Sequence, residues 1–378
     1  MNILGNMTED FFLKEYWEQK PFVFRKAVST PSDLIKTEDL FAMAKDEDYE
    51  TRLIIEQNNI WQNHDGPFTD EQLNPKYRSG SWTLINHNIN LYNLEVWNIQ
   101  KALEFIPSWL FDDAMTTYST KGSSVGAHID NYNVFIIQLE GIREWKIQHR
   151  PNKTLHENCP IKLLKEFNPD ESFILRPGDM IYIPPHIAHH GISQTDSLSL
   201  SMGFKSLEDK ALLDKFCLEA LQSFDSDDFY KTSFKHKQKD TLQISTEIEK
   251  SLHKRLLNIL SNEAFFQDTL LKFTSTAKNS LEEIELTYEE FQSASKEMPI
   301  FKDEFMRISS IQSHPSNSYK VSINEHIFYC SSADYSLVQI LHDWPLSQPL
   351  SLELIKGHSK FIYQLIKIGV LFFSESNT

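Results

Sequence analysis

Gly126-Ala127-His128-Ile129-Asp130-Asn131-Tyr132 is the stretch that decides how this 378-residue chain is read. His128 and Asp130 stand two apart at the start of a predicted strand, so both side chains leave the same face. An imidazole and a carboxylate on one face are two thirds of a facial triad, the ligand set that leaves open positions on a ferrous ion. His-x-Asp alone arises often by chance. Its complement is Gly178-Asp179-Met180-Ile181-Tyr182-Ile183-Pro184-Pro185, which runs directly into His186, His189 and His190. Two prolines at a strand end fix the backbone and can present a ligand rigidly. Asp130 and His189 are 59 residues apart, room for about four strands and their connections. That is the return spacing of a double-stranded β-helix, whose other inward strand would supply the third ligand.

The sequence on either side supports strands. Ala114 to Thr120, Val134 to Leu139, Arg143 to Gln148, Ser172 to Leu175, Met180 to Pro184 and Ser197 to Phe204 are short runs rich in β-branched or aromatic residues, separated by Gly, Pro, Asn and Asp. Many short strands with regular turns imply a sandwich or barrel. Glu140-Gly141 is a hairpin signal, and Arg176-Pro177-Gly178-Asp179 a turn signal. The hairpin would pair the strand carrying Arg143 with Val134 to Leu139. An inward arginine in a barrel is costly unless an anion meets it, and its planar fork grips a carboxylate with two bonds. A facial triad plus a buried Arg143 suits an Fe(II) enzyme that takes 2-oxoglutarate and O2 as co-substrates.

Outside this core the pattern changes twice. Residues 8–110 are mixed, with helical spacing over Phe11 to Lys20 and over Leu103 to Phe111. From 206 to 280 the period becomes 3.6: Leu207, Leu212, Leu213, Phe216, Leu218 and Leu221 could form one apolar face, and Ile244, Ile248, Leu252, Leu256 and Ile259 another. Between them Lys231, Lys235, Lys237 and Lys239 read as a solvated loop. In residues 281–378, strand-like Tyr319 to Ile323 and His326 to Cys330 precede apparent helices near Leu337 to His342 and Leu352 to Gly369, a composition that resembles a winged helix. The fold class is therefore α+β, with a core at 1–205, a helical region at 206–280 and a winged-helix-like domain at 281–378.

Charge narrows the partners. The chain carries 53 acidic and 37 basic side chains, a net of -16, so nucleic acid is not the default partner. Residues 281–378 hold 13 acids and 7 Lys/Arg, the wrong sign for groove binding even on a winged helix. Three separated cysteines with no CxxC pair fit a reducing cytoplasm rather than a disulfide framework. The N-terminus lacks the basic and apolar regions of a signal peptide, and Phe361 to Phe373, the most apolar stretch, is too short to span a bilayer. It reads as a buried helix followed by a short strand. A soluble cytoplasmic protein is expected.

The run from Asp112 through Trp145, DDAMTTYSTKGSSVGAHIDNYNVFIIQLEGIREW, resembles the JmjC-type cupin ribosomal oxygenases, as do GDMIYIPPHIAHHG and SLSLSMGF. Trp17, Pro21, His64 to Phe68 and Trp82-Thr83-Leu84 extend the similarity toward the N-terminus. Within the family the match is to the bacterial arginine hydroxylases of large-subunit ribosomal proteins. The resemblance implies Fe(II) held by His128, Asp130 and His189, with PPxxxH selecting His189 and leaving His190 as a fallback. It implies 2-oxoglutarate held by Arg143, assisted by Thr117 or less directly by Ser199. It implies a substrate arginine, hydroxylated at its β-carbon, in a pocket of Asp113, Met115 and Tyr132. It also implies a homodimer formed through the helical region, and a basic ribosomal protein as partner. Strand alternation independently puts Asp113, Met115 and Thr117 on one face, and His128, Asp130 and Tyr132 on one face. The sequence departs from the family at Ser123-Ser124 and at His186, where relatives often carry glycine. Three other readings remain: a histidyl hydroxylase of a ribosomal protein, as in eukaryotic relatives, a non-catalytic cupin with a DNA-binding winged helix, and a metal-binding structural cupin with no 2-oxoglutarate affinity and no role for Arg143.

Overall fold

Alternating and apolar runs in the middle of the chain become strands in a computed structural model that describes residues 3–74, 81–224, 242–279, 281–313 and 318–374. The chain divides into two compact units, Met1–Ser206 and Leu207–Thr378. In the first, β1 (Phe22–Phe24), β2 (Thr51–Gln57), β3 (Ile60–Asp65) and β4 (Ser81–Asn86) precede a run of eight strands. These are β5 (Phe111–Ser119), β6 (His128–Ile129), β7 (Tyr132–Glu140), β8 (Arg143–Gln148), β9 (Glu171–Leu175), β10 (Met180–Ile183), β11 (Ala188–Ser193) and β12 (Ser197–Lys205).

They form two sheets. One has the order β1-β10-β7-β12-β5-β4-β2-β3 and the other β6-β11-β8-β9. From β5 to β12 the chain switches sheet at every strand except between β8 and β9, the winding of a double-stranded β-helix; β1 and β2–β4 extend the larger sheet at both ends. The strand β7 shows why its sequence is apolar throughout. Val134 and Ile136 turn inward against Trp145, Ile147 and Leu175 of the smaller sheet. Phe135, Ile137 and Leu139 turn outward into a second core with Phe12, Tyr182 and Phe204, where the Phe12 and Tyr182 rings meet edge to face at 5.0 Å. A strand covered on both faces loses polar alternation.

Three expectations are corrected. Glu140-Gly141 is a turn, with Gly141 at φ +68°, but not a hairpin. The strand β8 leaves β7 for the other sheet and pairs with β11 and β9. Turn residues signal that the chain reverses, not which sheet receives it. A Cβ at Gly141 would meet the Asp196 carbonyl oxygen, so this crossing demands glycine. The apolar spacing at Leu103 to Phe111 does not form a helix. The helix runs over Leu94–Ala102 and only a 3-10 turn, Ser108–Leu110, follows the proline. In the N-terminal stretch the helix at Glu9–Glu15 is shorter than the Phe11 to Lys20 pattern extends.

The second unit begins with helices Asp209–Gln222, Thr246–Leu260 and Glu263–Thr274. On the first only Phe216 is buried and on the second nothing is, so both apolar stripes face outward among the described residues. The four lysines expected in a loop lie outside the described residues. The helix Tyr288–Glu297 leads to β13 (Ile300–Lys302), β14 (Ile308–Ser313), β15 (Ser318–Ile323) and β16 (His326–Cys330), then to helices Ser332–Asp343, Leu352–Gly357 and Ser359–Lys367 and β17 (Leu371–Phe373). Here β14-β15-β16 make one sheet and β13-β17 another, around Phe291, Val321, Leu337, Leu341, Ile362 and Leu365. No described helix is long and apolar enough to cross a membrane.

Candidate active site

His128 and His189 are register partners across β6 and β11, which sets two imidazoles side by side at one end of the smaller sheet with ring centroids 4.3 Å apart. Asp130 follows β6 directly. Its Oδ2 lies 3.7 Å from His128 Nε2 and 3.4 Å from His189 Nε2. The three ligand atoms fall within 4.8 Å of one another. Each imidazole is oriented by its own backbone: His128 Nδ1 is 3.0 Å from the Gly126 carbonyl oxygen and His189 Nδ1 is 3.1 Å from that of Ile187. A carbonyl only accepts, so both Nδ1 atoms carry a proton and Nε2 is the nitrogen that each ring turns toward Asp130, the atom that ligates when the imidazole is neutral. Two imidazole Nε2 atoms and a carboxylate converging on one point fit a divalent cation.

The charges agree. Burial, and then the His189 charge, lower the His128 pKa and favour its neutral, ligating form. Burial works to raise the Asp130 carboxyl, but the neighbouring histidines and the Tyr132 hydroxyl outweigh it and hold it at about 2.

Arg143 begins β8 and is 1% exposed, with burial pushing its pKa down to about 10. Its guanidinium lies over the Trp145 ring at 5.1 Å, and Nη2 donates a long 3.4 Å bond to the Gly191 carbonyl oxygen. Nε has no hydrogen-bond partner. A buried cation so poorly satisfied is expensive to keep unless an anion completes it. The room is made by Gly191, where a Cβ would come within 2.8 Å of the Trp145 ring and 2.9 Å of Arg143 Nε.

The His128–Asp130–His189 cluster and Arg143 line one cavity of about 720 Å³ between the two sheets. Thr117, Met115, Tyr132 and Ser199 line it as well, with Ser199 and Thr117 in register across β12 and β5. The Ser199 hydroxyl is already committed to Gln138 Oε1 at 3.0 Å. Of the expected substrate and cofactor residues Asp113 is not on the wall. Its Oδ2 lies 2.7 Å from His87 Nδ1 and its Oδ1 accepts the Asn88 N–H at 2.8 Å. His190 points away from the cluster to Ser124 Oγ at 3.0 Å, and is not among the cavity residues. Sequence reading missed Arg52 and Asn63, which line the cavity from β2 and β3; neither residue belongs to a motif.

Residues 98–212 match the family model described as JmjC domain. The chain is 26% identical over 274 residues, 72% of each chain, to the ribosomal protein uL16 3-hydroxylase of Escherichia coli strain K12. Among solved structures, the X-ray structure of E. coli YcfD aligns with a TM-score of 0.79 at 22% identity, covering 98% of this chain and 99% of that one. YcfD, a ribosomal oxygenase, in complex with cobalt and 2-oxoglutarate aligns with a TM-score of 0.76 and the same coverage. With two sheets wound as a double-stranded β-helix and His128, Asp130 and His189 clustered at one end, the chain is similar to JmjC domains over residues 98–212 and shares the fold of YcfD.

Proposed function

We propose that the chain is an Fe(II)- and 2-oxoglutarate-dependent dioxygenase that hydroxylates the β-carbon of an arginine in a basic large-subunit ribosomal protein. The observation that carries this is the pairing, in one cavity, of a converging His128–Asp130–His189 set with a buried, incompletely bonded Arg143. His128, Asp130 and His189 would hold the iron. Bound iron and 2-oxoglutarate would supply the oxidising chemistry: one atom of O2 enters a substrate C–H bond and the other leaves in succinate as the ketoacid loses CO2. Arg143 receives the distal carboxylate of 2-oxoglutarate through its Nε–H edge, with the Thr117 hydroxyl beside it; Ser199, engaged with Gln138, braces the wall. Trp145 and Ile136 keep water from this end. Tyr132, hydrogen-bonded to Asp130, and Met115 flank the space left for the substrate side chain. Positioning the target bond and excluding water are the protein's contributions, and no general acid–base pair is required.

The relatives, a uL16 3-hydroxylase and a ribosomal oxygenase, support the substrate class. So does the net charge of -16, which draws a basic protein inward. The stripes on the helices of 209–260 support a homodimer through the 206–280 region, and the three-stranded sheet with its helices supports a winged-helix-like role for 281–378. A cytoplasmic setting follows from a ribosomal substrate. One observation favours a second reading, a histidyl hydroxylase: Asp113 is already bonded by two donors, which weakens its hold on a guanidinium. Mass spectrometry of large-subunit ribosomal peptides incubated with the protein, Fe(II) and 2-oxoglutarate decides both. One added oxygen on arginine is expected; its appearance on histidine selects the second reading. No gain, or a gain that survives His128→Ala, ends the proposal.

A further inference from the structure

The extended end of the larger sheet builds a cavity wall that the chemistry above does not use. Arg52 on β2 and Asn63 on β3 face the cavity. Ile54 is the register partner of Asn63, so Arg52 and Asn63 sit diagonally across two paired strands. Arg52 Nε and Asn63 Oδ1 are both buried and make no hydrogen bond, the condition native interiors avoid unless a partner arrives.

Arg52 is nevertheless held in place. Its Nη2 is 3.0 Å from His87 Nε2, and His87 Nδ1 is 2.7 Å from Asp113 Oδ2. Arginine only donates and a carboxylate only accepts, so the imidazole between them is neutral, with its proton on Nδ1 and its Nε2 lone pair toward Arg52. The Asp113–His87 pair thereby fixes the guanidinium and leaves Nε–H uncommitted. One donor and one acceptor then stand on the same wall.

We propose that Arg52 and Asn63 dock the main chain of the polypeptide substrate. Arg52 Nε–H donates to the carbonyl oxygen, and Asn63 Oδ1 accepts the N–H, of one extended residue flanking the one that enters the metal site. In an extended chain these two groups of one residue point to the same side, as in an antiparallel ladder. Asp113 and His87 are positioning residues for Arg52, a role that accounts for Asp113 lying off the cavity wall. The proposal rests on the functional reading above only in requiring a polypeptide substrate.

The test uses the full chain and a fluorescein-labelled synthetic ribosomal peptide that the wild type hydroxylates. Arg52→Met and Asn63→Leu should each weaken peptide binding by about 10-fold or more and raise peptide KM in parallel. The 2-oxoglutarate KM should stay within about twofold. N-methylation of one flanking peptide residue should weaken wild-type binding and have no further effect on Asn63→Leu, a coupling a structural defect cannot mimic. If the wild type binds no ribosomal peptide, the functional reading fails and the docking site with it. If the wild type hydroxylates the peptide but both variants match its affinity, or if 2-oxoglutarate affinity falls equally, the docking site alone is overturned.

Discussion

The strands around the metal cluster and the helices of residues 209–260 break the same rule in opposite directions. On β8 and β11 the chain buries what water should keep: Arg143 is 1% exposed and His189 2%. On the two helices it exposes what water should reject: Leu221 is 71% exposed and Leu256 62%. Both arrangements cost free energy in the isolated chain. On the proposed reading each would be relieved by a different class of partner, a small anion with a cation in the first region and a second apolar surface in the other. Departures from apolar-in, polar-out therefore sort the molecule into a chemical site and an assembly site.

The largest expected effect tests the chemical side. Asp130→Ala removes the carboxylate from a cluster otherwise made of two imidazoles, so metal affinity should fall by more than about 100-fold and hydroxylation below detection. Titration with Fe(II) or Co(II) under anaerobic conditions measures the first. A variant that keeps wild-type metal affinity would falsify the cluster as a metal site.

Next, Arg143→Met separates function from stability. It should raise the 2-oxoglutarate KM by about 100-fold, since two charge-assisted bonds are lost. In the ligand-free protein it should stabilise by about 1–3 kcal/mol, because an apolar group replaces a buried cation with one long bond. Chemical denaturation without ligand measures this; a destabilised variant would mean that Arg143 is satisfied within the fold and holds no anion.

The assembly side is tested by Leu256→Glu. Leu252, Leu256 and Leu260 recur every fourth residue on Thr246–Leu260 and all are at least 40% exposed. A carboxylate in that stripe should convert a dimer to a monomer by light scattering, with secondary structure unchanged. A wild type that is already monomeric would leave the exposed leucines without a role and dissolve the comparison.

How much of this the sequence disclosed depends on whether a feature is local. The strand β7 and the His128–Asp130 pair were legible because alternation and a two-residue spacing act within one strand. The strand β11 was not, although His189 was picked out: Ala188-His189-His190-Gly191-Ile192-Ser193 has no apolar alternation, and it becomes a strand by pairing with β6 and β8. The destination of β8 was misread for the same reason, since sheet membership is a long-range property. Arg52, Asn63 and the Asp113–His87 link were invisible because three separate strands must meet before those atoms acquire neighbours. Asp113 shows the limit within a correct strand: its face was predicted, but its partners come from the β4 end.

The smallest effects lie in the two departures from the family's glycines, and they should have opposite signs. At Ser124 the hydroxyl accepts the Gly126 N–H at 2.9 Å and meets His190 Nε2 at 3.0 Å, so it ties the turn ahead of His128 to β11. Ser124→Gly should cost about 1–2 kcal/mol through two lost bonds and a freer unfolded chain. At His186 the backbone sits at φ +66° while its N–H donates to the Asp130 carbonyl oxygen at 2.8 Å. Glycine keeps that bond and removes the clash of a Cβ in the left-handed region, so His186→Gly should stabilise by about 1 kcal/mol, or about 2–4 °C in Tm for a unit of this size. Thermal unfolding of the two variants side by side reads both signs. A destabilised His186→Gly would show that the imidazole contributes more than its backbone costs, and would move His186 from a strained linker to a working part of the chemical site.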